Sequence, residues 1–188
     1  MGFWDLSDGE SAVTNETTYE SPDNNFDPIP DGTNALAFIE EAKWDEDRDE
    51  NRYLKIKWRV EKPEDYLNRV IFQKLWILDD DPNVKDADKM KKKRDRAKQM
   101  LATIDANAGG KLGRKAGIPS NDDFALALST RQMVIKCMVW TIKNSDGTEN
   151  TGNWISAIMP KTHEVKAGTP RPAPKQSVAD DLDSEIPF

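Results

Sequence analysis

Five β-like runs and one long helical run follow each other in an order that few small folds accommodate. In RYLKIKWRV (52–60), Leu54, Ile56, Trp58 and Val60 fall on one side of an extended strand, and Tyr53, Lys55, Lys57 and Arg59 fall on the other. NALAFIEEAKW (34–44) precedes it across the charged turn DEDRDEN, which predicts a hairpin, and NRVIFQKLWIL (68–78) predicts a third strand. From Val84 to about Ala106 neither glycine nor proline intervenes. Val84, Ala87, Met90, Ala97, Leu101 and Ile104 give that run an apolar stripe at helical spacing, and Gly109-Gly110 stop it. A shorter helix is predicted in IPSNDDFALALS, capped by Ser120 or Asn121. TRQMVIKCMVWTIK (130–143) and GNWISAIM (152–159) supply strands four and five across the turn NSDGTEN. Three strands, a helix and two strands is the order of the OB-fold. The expectation is therefore a mainly β chain, a five-stranded Greek-key barrel with a basic helix between strands 3 and 4.

Charge divides the chain into parts. Of its 34 acids, eight lie in residues 1–31 and four in residues 177–188, whereas all 27 bases lie between, so residues 32–176 hold about five excess positive charges despite a net charge of −7. The expected organisation is an acidic N-terminal arm (1–31), an OB-like domain (32–160), a flexible Pro/Ala/Gly-rich linker (161–178) and an acidic C-terminal tip (179–188). Within the arm, FW at 3–4 and NNFDPIPDG could dock locally on the body. No run of 18 apolar residues exists, and the start MGFWDLSDGE has no basic n-region, so a cytoplasmic protein is expected.

Several chemistries have no carrier. One cysteine and one histidine exclude an intrachain disulfide, a zinc finger and a two-histidine metal site. Cys137, inside MVIKCMVW, reads as a buried inert thiol and His163 as a surface residue. The acids 45–50 and 79–81 fall in turns, where solvated carboxylates are expected, and neither a G-x-S-x-G nor an H-E-x-x-H motif occurs. No enzyme, cofactor or metal is predicted.

What remains is binding. Tyr53, Lys55, Lys57 and Arg59 share a face, and Phe72, Lys74 and Trp76 form the matching face of the next strand. Rings interleaved with cations suit a single nucleic-acid strand, because every base offers a π-face and every nucleotide a phosphate. Lys111, Arg114 and Lys115 in GGKLGRKAG could close over that backbone. The segment is no P-loop, since Leu112 stands where Ser or Thr is required. Trp44, Trp140 and Trp154 are weaker ring candidates, and Lys91, Lys92, Lys93, Arg94, Arg96 and Lys98 make the long helix basic. The alternative is an ordinary solvated strand face on an OB or β-sandwich module that binds proteins and no nucleic acid.

The ending ADDLDSEIPF resembles the acidic tip of bacterial single-stranded DNA-binding proteins, which finish in aspartates followed by Ile-Pro-Phe. Asp180, Asp181, Asp183, Glu185, Ile186, Pro187 and Phe188 match in type and order, with Leu182 and Ser184 interrupting the acids. The whole chain resembles bacteriophage single-stranded DNA-binding proteins in its MGFWDLSDG start, OB-like body and acidic end. The resemblance implies sequence-tolerant DNA binding during phage replication, recombination and repair in the host cytoplasm. It also implies that the seven matched tail residues recruit partner proteins.

Overall fold

A computed structural model describes residues 27–145 and 147–169. The acidic tip, with Asp180 through Phe188, and most of the N-terminal arm lie outside the described residues. The elements in chain order are β1 (Thr33–Glu46), β2 (Arg52–Lys62), a 3-10 turn (Glu64–Tyr66), β3 (Val70–Leu75), α1 (Ala87–Ala108), a second 3-10 turn (Leu112–Arg114), α2 (Asn121–Leu128), β4 (Gln132–Lys143) and β5 (Glu149–Met159).

The strands form one antiparallel sheet in the order β3-β2-β1-β4-β5. β1 is long enough to serve both halves: Thr33 to Phe38 pair with β4, while Leu36 to Glu46 pair with β2. No ladder joins β3 to β5, so the expected barrel is not closed by hydrogen bonds. The two edge strands nevertheless touch, and α1 contacts both.

The alternation read in 52–60 holds. Leu54, Ile56, Trp58 and Val60 are wholly buried, whereas Lys55, Lys57 and Arg59 are half-exposed. The buried side of the sheet meets Ile104 of α1 and Phe124 and Leu128 of α2 in one core. Trp58 is fully enclosed, and its indole N–H donates to Gln73 Oε1 at 3.0 Å. Without that acceptor the buried donor would be unsatisfied.

The helix boundaries follow their caps. α1 begins at Ala87 rather than Val84, because the Asp86 carboxylate accepts from the backbone N–H groups of Asp88 and Lys89. It ends where predicted, on Gly109 at φ 113°. Ser120 caps α2 in a reciprocal box with Asp123.

The body extends past 32–160 at both ends, and at the first of them part of NNFDPIPDG docks as expected. Ile29 is wholly buried, and Asn153 holds its N–H and its carbonyl at 2.8 Å each. Beyond Pro160 the expected linker is at first pinned: Lys166 bridges to Asn34, and Gly168 N–H donates to Thr33 Oγ1 at 2.9 Å. A Cβ at Gly168 would lie 2.2 Å from the Asp31 carbonyl oxygen, so only glycine permits that approach.

Candidate nucleic-acid interface

The outer face of β1–β2–β3 gathers Lys55, Lys57, Arg59 and Lys74. Cross-strand register sets Lys55 opposite Lys74, Lys57 opposite Phe72, and Arg59 opposite Val70. Phe72 is 55% exposed, and the Lys55 ammonium sits 5.6 Å from its ring centroid. Like charges directly opposite each other repel. Here each lysine leans away, Lys55 to Asp45 and Lys74 over the Tyr53 ring at 4.8 Å.

β1 answers the cations with carboxylates. The register between β1 and β2 shifts between Ile39 and Glu41, inserting Glu40 as an extra residue. Glu40 accepts from Lys57 Nζ at 2.9 Å and from Arg59 Nε at 2.7 Å, and Glu41 pairs with Lys43 at 3.0 Å. Lys55 donates to Asp45 at 3.0 Å. The Lys57 hydrogen bond lowers the Glu40 pKa, and the Lys55 hydrogen bond lowers that of Asp45 while raising its own. The face is thus a laced array of charge around one exposed ring rather than a bare cationic track. Phe38, opposite Arg59 and half-buried, adds a second ring at its margin. Sequence reasoning missed Phe38, Glu40 and Asp45, although Phe38 and Glu40 lie in step along β1. The bulge itself leaves no sequence signal.

Two expected stacking rings are covered rather than open to solvent. Trp76 is 2% exposed and Tyr53 5% exposed, with ring centroids 5.0 Å apart. The β2–β3 ladder ends at Leu54–Leu75, so alternation no longer dictates where Trp76 points. It folds against Tyr53 and lines a groove under α1. Burial pushes the Tyr53 pKa up. Among the described residues the Trp76 indole N–H has no hydrogen-bond partner.

The loop cations belong to another neighbourhood. Lys111, Arg114 and Lys115 are exposed around the second 3-10 turn, which packs against α1 and α2. Its backbone is fastened by Asp105, which accepts from Leu112 N–H at 3.0 Å and Gly113 N–H at 2.8 Å. Lys115 pairs with Asp123, whose pKa that contact lowers to about 2. On α1, Lys93 pairs with the buried Asp81 and Arg94 with Asp80, while Lys91, Lys92 and Lys98 are exposed. Those pairs occupy two carboxylates of the 79–81 run.

The tryptophans on other strands are structural in part. Trp44 donates its indole N–H to the Pro119 carbonyl at 2.8 Å and meets Phe124 edge-on. Trp140 lies over Gly152, where a Cβ would come within 2.5 Å of the indole. Cys137 is buried, and desolvation pushes its thiol pKa up to about 12. No group of three or more potential metal-ligating side chains occurs among the described residues, and no helix among them is long and apolar enough to cross a membrane. No protein-family model matches the chain, and no curated protein matches it.

Proposed function

We propose that this chain binds single-stranded DNA without base-specific readout, using the outer face of β1–β2–β3, and performs no catalysis. The observation that carries the reading is the Lys55–Lys74 cross-strand pair beside the exposed Phe72 ring. Like charges facing each other are a local conflict of the kind that persists where a ligand resolves it. A phosphate backbone would resolve this one, with a base stacked on Phe72. Lys57 and Arg59 would join by exchanging Glu40 for phosphate.

The strand order, with β1 shared between two halves and a helix after β3, supports an OB-type Greek-key arrangement whose β3–β5 seam lacks hydrogen bonds. Residues 179–188 would then recruit replication, recombination or repair proteins. Phe188 would offer a ring, and Asp180, Asp181, Asp183 and Glu185 a salt-sensitive attraction to a basic partner. The setting would be the cytoplasm of a bacterium infected by a phage.

The test is a titration of labelled oligo(dT) followed by anisotropy, because Trp58 and Trp76 are enclosed and tryptophan quenching would under-report the outer face. Affinity should fall from about 50 to 300 mM salt with a log–log slope near −3 if all four cations engage. No binding at the lower salt refutes the reading. Removing residues 179–188 should tighten binding, most at low salt, and abolish partner recruitment.

A second reading has its own observation. Leu67, Val70 and Phe72 are exposed apolar side chains at one edge of the sheet, and neighbouring cations already hold carboxylates. Such a surface suits a protein partner. In that case oligo(dT) would not bind, and Phe72→Ala would remove the protein partner instead.

A further inference from the structure

The edges of β3 and β5 flank a groove of about 580 Å³ roofed by α1, and no ladder joins them. Its apolar lining comes from Ala97 and Met100 of α1 and from Trp154 and Ile158 of β5, and the last three are only half-buried. Lys74 lines it too, standing over the Tyr53 ring at 4.8 Å and making no ion pair among the described residues. Open strand edges beside an apolar groove are the kind of surface that proteins cover. The volume lies in the range of sites that take a drug-sized group.

The chain itself arrives at this seam. Arg69, the residue before β3, donates to the Asp27 carbonyl at 2.7 Å. Asn153, the residue before Trp154 on β5, holds both backbone groups of Ile29. Residues 27–29 therefore lie between the two strands that flank the groove, and residues 1–26 continue from there. Those 26 residues carry six acids and no base, and their start holds Phe3, Trp4, Asp5 and Leu6. In an extended chain Trp4 and Leu6 fall on one side and Asp5 on the other. The groove calls for that pattern, with apolar side chains inside and a carboxylate for Lys74.

We propose that Phe3 to Leu6 of the same chain seat in this groove, Trp4 and Leu6 against Met100 and Ile158 and the Asp5 carboxylate at Lys74. Twenty residues separate Leu6 from Asp27, a reach of up to about 70 Å. The groove begins at Gln73, only about 13 Å along β3 from Arg69. Residues 170–188 are the weaker occupant, because the chain before them is held on Thr33 of β1, which β4 separates from β5. The seating needs no nucleic acid and does not depend on the DNA-binding reading.

The experiment is a double-mutant cycle in the full chain, read as the thermal midpoint. Trp4→Ala should lower the midpoint by about 3–6 °C. On a Met100→Ala background the same change should lower it less, since its main contact is already gone. Dilute hydrogen peroxide gives a second readout that needs no groove variant. Followed by mass spectrometry, the Met100 thioether should oxidise about 3-fold faster in Trp4→Ala than in the parent chain. An unchanged midpoint in Trp4→Ala, strictly additive losses, or an unchanged Met100 rate would each overturn the seating. A parent midpoint that rises with protein concentration, and loses that dependence in Trp4→Ala, would give the groove to the arm of a second copy and overturn it as well. Faster Met100 oxidation on deletion of residues 179–188, but not in Trp4→Ala, would give the groove to the tail.

Discussion

The outer face of β1–β2–β3 and the groove beneath α1 lie on either side of one edge strand, yet they are built by different rules. On the face, a hydrogen-bonded ladder holds each residue opposite a known partner, and alternation in sequence becomes alternation in space. In the groove, no ladder joins β3 to β5, and residues from positions 73 to 158 meet through tertiary packing. The face is polar, laced with ion pairs and presents one ring. The groove mixes apolar side chains such as Ala97, Met100 and Ile158 with Lys74, Lys93 and Arg96. A strand edge that pairs with nothing among the described residues can therefore divide two kinds of surface within one small domain.

The contrast is broken most forcefully by testing whether the two sides of β2 differ in kind. Trp58→Ala on the inner side should cost about 3–5 kcal/mol of stability in urea unfolding, the range for truncating a large enclosed aromatic. Phe72→Ala, one strand over on the outer side, should change stability by no more than about 0.5 kcal/mol. It should weaken oligo(dT) binding by about 1–3 kcal/mol. Comparable stability losses in both variants would mean that Phe72 belongs to the core. Full retention of binding in Phe72→Ala would mean that the outer face is not where bases stack.

These two regions also mark how far the sequence could be read. The inner and outer residues of 52–60 were legible because a period of two survives wherever the ladder does. The order of elements along the chain was legible from run length and from Gly109-Gly110, Ser120 and the turn residues. The exposure of Trp76 was not: it stands in register with Phe72 and Lys74, but the ladder stops at Leu75 and the side chain is enclosed against Tyr53. Glu40 was illegible for a related reason, since a bulge adds one residue without any compositional mark. The pinning of Ile29 and Gly168 depends on contacts with Asn153 and Thr33 more than a hundred residues away, which local patterning cannot express.

Glu40 gives the next sharpening. Its carboxylate holds Lys57 and Arg59 together, so a phosphate backbone must compete with it for both. Glu40→Gln should release the two cations and lower the dissociation constant for oligo(dT) about 2- to 5-fold at low salt. A parent slope near −1.4, with Lys55 and Lys74 alone engaged, should steepen by as much as about 1.4, about 0.7 for each added phosphate contact, whereas a parent slope already near −3 should stay and the affinity alone rise. Anisotropy titrations of the variant and the parent chain at several salt concentrations measure both quantities. An unchanged slope together with an unchanged dissociation constant would show that Lys57 and Arg59 lie off the DNA path.

The smallest expected effect concerns the loop that the structure sets beside α1 and α2. Asp123 is held to about 2 by the Lys115 ammonium first, then by the Ser120 N–H and hydroxyl. Its pKa is depressed on folding, so its stabilising contribution is complete above the ordinary carboxylate value near 4 and is lost as pH falls toward 2. Asp123→Asn should therefore melt lower than the parent chain, with a gap that is steady from pH 7 to about 5 and closes between about pH 4 and 2. Glu40 and Asp45, also depressed, titrate alike in both proteins and cancel from that difference. The same variant frees Lys115, which makes it informative at neutral pH as well. If the DNA path is confined to the outer face, its affinity for oligo(dT) at pH 7 should equal that of the parent. A tighter complex would instead bring the Lys111–Lys115 loop into the path and extend the interface around the end of α1.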